Sequence, residues 1–172
     1  MDFDKHIRRI LDFPKKGILF YDITTLLKDG HAFKAVVDRF EKHYDDREID
    51  LVVGIESRGY MVGGALADRL SAGFVPVRKI GKLPAETIRA TYKKEYGDDG
   101  LEIHKDAIMP GQKVIIADDL LATGGTAAAV AELVEKLGGK IVGFCFIIEL
   151  GFLHGRDKLK KYPIYSLMNY NE

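Results

Sequence analysis

The residues best suited to binding or catalysis are two adjacent carboxylates, Asp118 and Asp119, and a turn of small residues shortly after them. The turn consists of Ala122, Thr123, Gly124, Gly125 and Thr126. A helix-forming stretch follows over residues 127–137, so free helix amides, the helix dipole and the two glycines favour an anion in the turn. Ionised carboxylates only accept hydrogen bonds, which suits hydroxyl groups. The pattern therefore predicts a site for a molecule with a phosphate and vicinal hydroxyls, such as a ribose 5-phosphate.

The same stretch is compatible with other interpretations. A strand, an acidic turn and a threonine helix cap with no ligand is the simplest alternative. The chain has no Gly-Lys-Ser/Thr sequence for a Walker loop. No two glycines are separated by a single residue, so the dinucleotide fingerprint is absent as well. The buried strand and the paired acids ahead of the turn favour the sugar-phosphate site.

Residues 114–126 resemble the phosphoribosyl-pyrophosphate binding motif of the type I phosphoribosyltransferases. The variant Asp-Asp-Leu-Leu-Ala-Thr-Gly-Gly-Thr is typical of members that act on adenine. This resemblance implies that the small-residue turn holds the 5-phosphate and that Asp118 and Asp119 hold the ribose hydroxyls. Three further motifs follow the family's order along the chain.

The first of these motifs, Phe-Pro-x-x-Gly-Ile-x-Phe-x-Asp-Ile-Thr, is the family's N-terminal signature and begins here at Phe13. The resemblance implies that Phe20 stacks on the purine and that backbone groups from Leu19 to Tyr21 bond to the base edge. Leu150 is expected to line the base pocket. The chain departs from the family at Tyr21, where many members carry Arg or Lys, so the base preference stays open.

The second motif is a turn after the predicted buried strand 51–55 and resembles the family's pyrophosphate loop. Ser57 and Arg58 are expected to bind the diphosphate, with a cis peptide bond between Glu56 and Ser57. A guanidinium fork suits a diphosphate. Three nearby cations are expected to act as electrostatic clamps on the same group: Arg78, Lys79 and Lys82.

The third motif lies in the polar segment 81–100, which has no strong period and is predicted to be a long loop. The family has a mobile lid here, over about residues 80–100. Glu95 in this segment would be the general acid or base acting on the purine ring nitrogens.

Buried-strand patterns are twice followed by a polar turn and a helix, which predicts a parallel sheet. The resemblance implies an α/β protein of the type I phosphoribosyltransferase fold, with a central, mostly parallel sheet flanked by helices. A single domain spans residues 1–172, with a small hood mainly from residues 1–30. Residues 3–13 are predicted to form an amphipathic helix. Cys145 is predicted to be a buried structural thiol.

The composition limits the classes of binding partner and the locations that the sequence supports. Lys and Arg together number 26, as do Asp and Glu, so the charge does not indicate nucleic acid. The longest apolar run, 141–148, is too short to span a membrane. The charged start argues against a signal peptide, and the lone cysteine favours a cytoplasmic location. No pair of histidines has metal-ligand spacing, so we expect no metal held by protein ligands alone.

The reaction implied by the resemblance is purine salvage, in which adenine and 5-phosphoribosyl 1-pyrophosphate give AMP and pyrophosphate. Mg²⁺ is expected to arrive with the diphosphate substrate, and the family implies a homodimer. Two alternatives stay open: the same chemistry on hypoxanthine, guanine or xanthine, and a nucleotide-sensing regulator that lost catalysis.

Overall fold

The computed structural model describes residues 1–94 and 97–172. The strands of these residues are β1 (Arg8–Leu11), β2 (Leu19–Asp22), β3 (Leu51–Ile55), β4 (Gly73–Lys79), β5 (Thr87–Lys94), β6 (Gly97–His104), β7 (Lys113–Leu121), β8 (Lys140–Leu150) and β9 (Ile164–Tyr170). The α-helices are α1 (Thr24–Lys28), α2 (Gly30–Tyr44), α3 (Gly59–Arg69) and α4 (Gly125–Lys136). Short 3-10 turns lie at Phe3–His6, Gly151–Leu153 and Gly155–Leu159.

A seven-stranded sheet in the order β5-β6-β4-β3-β7-β8-β9 forms the centre of the molecule. The run from β4 to β9 is parallel throughout. Strands β5 and β6 are antiparallel to each other, and β6 is antiparallel to β4. The predicted central, mostly parallel sheet flanked by helices is therefore confirmed.

The core lies on both faces of this sheet. Val53 and Ile116 belong to a buried cluster with α4, whereas Val52 and Ile115 belong to a second cluster with α2 and α3. Successive strand residues point to opposite faces, so β3 and β7 are buried on both sides. That is why both strands are recognisable in the sequence as continuous apolar runs.

The N-terminal helix predicted for residues 3–13 is wrong. A 3-10 turn spans Phe3–His6, and β1 then pairs with β2 in an antiparallel, two-stranded sheet of the predicted hood segment. Phe3 and Ile7, four residues apart, are both buried and produce the helical pattern. The residues of β1 are half-buried or exposed, so its pairing with β2, which is not local, decides its conformation.

The loop predicted for residues 81–100 is also wrong. Strands β5 and β6 pair over their whole length, from Thr87 opposite His104 to Lys94 opposite Gly97. Ala90, Leu101 and Ile103 are buried, while polar residues alternate with them. Glu102 occupies a buried position between Leu101 and Ile103, so a polar residue and the glycines of β6 hide the apolar pattern. Whether this segment moves as a lid stays a prediction.

A buried carboxylate ties the turn before β5 to this strand pair. Glu102 is 1% exposed. It accepts hydrogen bonds from the amides of Lys82 and Leu83, from the Thr87 hydroxyl and from Arg89 Nε. Burial alone would raise the pKa of Glu102, but the backbone and Thr87 donors outweigh it and leave the pKa lowered. The charge is therefore stable where it lies.

Tyr44→Phe should destabilise the protein by breaking a buried link between α2 and β8. The fully buried Tyr44 hydroxyl donates to the Phe144 carbonyl at 3.1 Å. We expect the free energy of unfolding to fall by about 1 kcal/mol in urea titrations. Tyr165→Phe is the matched control, because no hydrogen bond of the Tyr165 hydroxyl is found within the described residues. Equal losses in both variants would contradict a role for this hydrogen bond.

Candidate active site

Two adjoining cavities open at the carboxyl ends of β3 and β7. The smaller, about 80 Å³, is bounded mainly by residues 120–127. The larger, about 760 Å³, extends toward β4 and the β5–β6 pair. Asp118, Ala122 and Thr126 line both. Helix α3 leads from β3 toward β4, whereas α4 leads from β7 to β8 on the other side. Such a switch in strand order is where open α/β sheets bind ligands.

The small cavity is formed by the start of α4. Gly124 precedes the helix in a left-handed conformation, with φ of 76°. The first helical hydrogen bond here joins the Ala128 amide to the Gly124 carbonyl at 2.9 Å. Within residues 1–94 and 97–172, the amides of residues 123–127 have no protein acceptor. Free amides at the positive end of a helix dipole favour an anion.

The two carboxylates at the end of β7 are held differently. Asp119 is 5% exposed, and its Oδ2 lies 2.8 Å from Arg58 Nε. Asp118 is half-buried, and its Oδ1 accepts the Asp119 amide at 2.9 Å. Asp118 lies against both cavities, whereas Asp119 lines the larger one. Both predicted carboxylates therefore lie beside the phosphate loop, which is our name for residues 122–126.

Burial is the main cause of the raised pKa values of this carboxylate pair. It raises the pKa of Asp118, and the neighbouring charge of Asp119 raises it further. Burial also raises the pKa of Asp119, with Arg58 opposing that effect. Among the described residues, each carboxylate has fewer hydrogen-bond donors than its two oxygens can accept. Hydroxyl groups or positive charge from a ligand would therefore stabilise the ionised form.

The predicted pyrophosphate loop faces the larger cavity. Ser57 and Arg58 line it, together with Lys79 from the end of β4. The Glu56–Ser57 peptide bond is cis, as predicted. At Gly59, the first residue of α3, an added Cβ would lie 2.7 Å from the Ala117 carbonyl oxygen and 3.0 Å from Asp118 Oδ1. Glycine is needed there because α3 starts directly against the carboxylate strand.

Arg78 and Lys82 do not line either cavity. Arg78 forms a forked ion pair with Glu56, with Nη2 3.1 Å from Oε1 and Nε 3.3 Å from Oε2. Its Nη1 also donates to the Lys82 carbonyl at 3.0 Å. Glu56 accepts the Lys79 amide as well, at 2.9 Å. Here Arg78 therefore holds the residue before the pyrophosphate loop, and the diphosphate contacts of Arg78 and Lys82 stay predictions.

An aromatic side chain from β2 lies near Arg58. The Phe20 ring is half-buried, and the Arg58 guanidinium carbon lies 5.5 Å from its centre. Phe13 meets the Phe20 ring edge-on, with the centroids 5.1 Å apart. Among the described strands, β2 pairs only with β1. Its other edge therefore presents backbone groups that no strand uses, beside an aromatic face.

Tyr21 points its ring into the core. It is 7% exposed and stacks on Tyr170 with the ring centroids 4.4 Å apart. Leu150, 8% exposed at the end of β8, belongs to the same buried cluster. Neither lines the two cavities. The Tyr21 side chain is thus a packing residue, and only its backbone is placed to meet a ligand at β2.

Glu95 lies outside the described residues, so its acid/base role stays a prediction. Lys158, in the turn Gly155–Leu159, also lies near the site, although none of the sequence motifs above includes it. Its Nζ lies 3.8 Å from the point where a Cβ on Gly125 would sit. The available signal was a run of cations just after a strand whose carboxyl end meets the site.

Among the described residues, no group of three or more His, Cys, Asp or Glu side chains is arranged to hold a metal ion. Cys145 is fully buried, as predicted, and burial raises the pKa of its thiol. None of the described helices is both long and apolar enough to cross a membrane.

Comparisons with known proteins agree on one family. The Phosphoribosyl transferase domain family matches residues 24–169. An adenine phosphoribosyltransferase of Alkaliphilus metalliredigens is 58% identical over 170 residues, covering 99% of this chain and 100% of the relative. The crystal structure of the Thermoanaerobacter pseudethanolicus adenine phosphoribosyltransferase matches with a TM-score of 0.95, 54% identity and 98% of each chain covered. The Saccharomyces cerevisiae enzyme, complexed with an imino-altritol bisphosphate and adenine, matches with a TM-score of 0.92, 45% identity and 96% of each chain covered.

Asp118→Asn should stabilise the ligand-free protein in a pH-dependent way. Because the folded-state pKa of Asp118 is raised, the wild type loses stability as the pH rises through that pKa. Below the unfolded-state pKa, about 3.9, the carboxyl group is protonated in both states and this penalty is absent. The gain in thermal midpoint should therefore be largest near about pH 8 and shrink toward about pH 4.

Thermal unfolding across this pH range checks the result. Asp45→Asn, at an exposed residue just after α2, is the control and should show no gain that grows with pH. A variant less stable than the wild type at every pH would contradict the electrostatic account of Asp118.

Proposed function

Because this chain belongs to the phosphoribosyltransferase family, we propose that it transfers the 5-phosphoribosyl group from phosphoribosyl pyrophosphate to adenine. The products are AMP and pyrophosphate, which makes the chain a purine salvage enzyme. The amides of residues 123–127, which have no acceptor among the described residues, lie beside Asp118 and Asp119 and carry this proposal. Its relatives, named adenine phosphoribosyltransferases, match over nearly the full length.

The phosphate loop binds the 5-phosphate. Its free amides and the α4 dipole attract the anion, and the hydroxyls of Thr123 and Thr126 add donors. The small cavity is lined by this loop and by Asp118. A phosphate held there places the ribose hydroxyls toward the carboxylates at the end of β7. The phosphate thus meets hydrogen-bond donors, and the ribose hydroxyls meet hydrogen-bond acceptors.

Asp118 and Asp119 serve the sugar during the reaction. They accept hydrogen bonds from the ribose hydroxyls, which supplies donors that the ligand-free site lacks. Breaking the bond to pyrophosphate leaves positive charge on the sugar ring, as in other glycosyl transfers. Buried carboxylates fixed beside the ring stabilise that charge, because little solvent reorganises around them.

The leaving diphosphate lies against Ser57, Arg58 and Lys79. These residues share the larger cavity with the carboxylates. Arg58 is paired with Asp119 here, so its guanidinium is already oriented at the junction between sugar and diphosphate. Mg²⁺ would arrive with the diphosphate substrate, and its positive charge would help to neutralise the leaving group held by these residues. The homodimer and the cytoplasmic location implied by the family remain predictions.

The base is recognised beside Phe20. Its ring offers an apolar face for a purine, and the free edge of β2 offers backbone donors and acceptors for the edge of adenine. The Tyr21 side chain is buried against Tyr170, so replacement of the common Arg or Lys leaves this backbone contact intact. Adenine is the base bound in the related yeast structure. These features support adenine over the other 6-substituted purines.

The purified protein should release pyrophosphate when given phosphoribosyl pyrophosphate, Mg²⁺ and adenine. We expect kcat/KM for adenine to exceed the values for hypoxanthine, guanine and xanthine by at least about 100-fold, because a base with the wrong donors leaves buried groups unpaired. Coupled pyrophosphate detection with each base measures this preference. Equal rates with hypoxanthine would contradict the preference for adenine. No pyrophosphate release with any base would contradict the proposed transfer reaction.

Asp119→Asn should keep the fold and lose most turnover. The substitution preserves the shape of the side chain but removes the charge beside the sugar ring, and kcat should fall by about 100-fold or more. Steady-state kinetics and circular dichroism separate this loss from unfolding. Asp45→Asn, far along the chain on an exposed site, should retain wild-type kcat. An unchanged kcat in Asp119→Asn would sink the assigned role.

A further inference from the structure

We propose that the 3-10 turn Gly155–Leu159 is a positioning element that sets the shape of the phosphate loop through backbone contact. The inference rests on the proposed function, because it concerns how the 5-phosphate site is held. Lys158 of the turn lies close to the loop, with its Nζ 3.8 Å from the point where a Cβ on Gly125 would sit. The turn acts through its backbone at Gly155 and through an ion pair at Arg156.

Gly155 and the phosphate loop touch backbone to backbone. A Cβ added to Gly155 would lie 2.2 Å from the Ala122 carbonyl oxygen and 3.1 Å from the Gly124 amide nitrogen. Conversely, a Cβ added to Gly124 would lie 2.3 Å from the Gly155 carbonyl oxygen. Such distances leave no room for any side chain on either residue. The two backbone segments therefore fix each other's position.

An ion pair anchors the turn to the sheet. Glu149, 3% exposed near the end of β8, accepts Arg156 Nη2 at 2.7 Å, and Arg156 Nε lies 2.5 Å from its other carboxylate oxygen. The Ser166 hydroxyl of β9 donates to Glu149 at 2.8 Å. Burial raises the pKa of Glu149, but Arg156 and Ser166 outweigh it and leave the pKa lowered. Leu159, fully buried, fixes the other end of the turn in the core beside α4.

The phosphate loop needs support of this kind. An anion site requires its amides to be unpaired, and those of residues 123–127 have no acceptor in the part of the chain described here. Secondary structure usually fixes a backbone through its own hydrogen bonds, which this loop cannot do and still bind phosphate. Packing of another backbone against Ala122 and Gly124 holds the loop without a hydrogen bond to its amides. Gly155 supplies that packing.

Gly155→Ala tests the contact directly. The added methyl group must displace the Ala122 carbonyl by roughly 1 Å, and a misplacement of that size costs about 10- to 100-fold in enzymes. We expect KM for phosphoribosyl pyrophosphate to rise by that factor, while KM for adenine stays within about twofold. Gly30→Ala is the matched control, since nothing lies within 4 Å of an added Cβ there, and both KM values should be unchanged.

Arg156→Lys gives a milder test that keeps the positive charge but loses the forked contact with Glu149. It should raise KM for phosphoribosyl pyrophosphate by about 3- to 10-fold, again without a matching change for adenine. In both variants, the ratio of AMP affinity to adenosine affinity, measured by isothermal titration, should fall by a similar factor. This ratio isolates the phosphate contribution, which general destabilisation would not change selectively.

Wild-type turnover is measured first, and its absence would refute the proposed function rather than this inference. With an active wild type, an unchanged KM for phosphoribosyl pyrophosphate in a folded Gly155→Ala protein overturns the positioning role. A parallel rise in KM for both substrates in Arg156→Lys overturns it too. Should Gly155→Ala fail to fold, the Arg156→Lys kinetics and its AMP-to-adenosine ratio decide.

Discussion

The structure depends on a row of backbone amides that are ordered although no other described residue accepts a hydrogen bond from them. Residues 123–127 meet this condition at the start of α4. A loop that cannot use its own hydrogen bonds must be fixed by what surrounds it. Strand β7, buried on both faces, fixes one end of the loop, and the twelve residues of α4 fix the other. The contact between Gly124 and Gly155 holds its back.

Buried carboxylates in this molecule fall into two groups, which differ in how fully they are hydrogen-bonded. Glu102 and Glu149 are surrounded by donors, and the pKa of each is lowered in spite of burial. Asp118 and Asp119 have fewer donors and lie close together, and the pKa of each is raised. The first pair stabilises the fold at neutral pH. The charge of the second pair is unfavourable in the ligand-free protein, and groups with raised pKa values of this kind are typical of functional sites.

The arginines near the site also differ in the carboxylate with which each one pairs. Arg78 is taken up by Glu56, and Arg156 by Glu149, so each positions a segment beside the site. Arg58 is paired with a carboxylate of the site itself and lies over Phe20. It therefore connects the carboxylates at the end of β7 with the aromatic ring of β2. A cation's role depends here on which carboxylate it meets, and that carboxylate is distant in sequence.

The sequence by itself determined the parallel sheet, the phosphate loop and the paired carboxylates, because strands buried on both faces and glycine-rich helix starts have local patterns. The cis bond at Glu56 was expected from family resemblance. Only the tertiary structure decided the pairing of β1 with β2, the strands β5 and β6, the inward turn of Tyr21, and the support from Gly155. Tyr21 on Tyr170 and Gly155 on Gly124 join residues far apart in the chain, so neither contact leaves a pattern in one segment alone. The two strand pairs join neighbouring segments, but their mixed polar and apolar residues give no clear period before the strands pair.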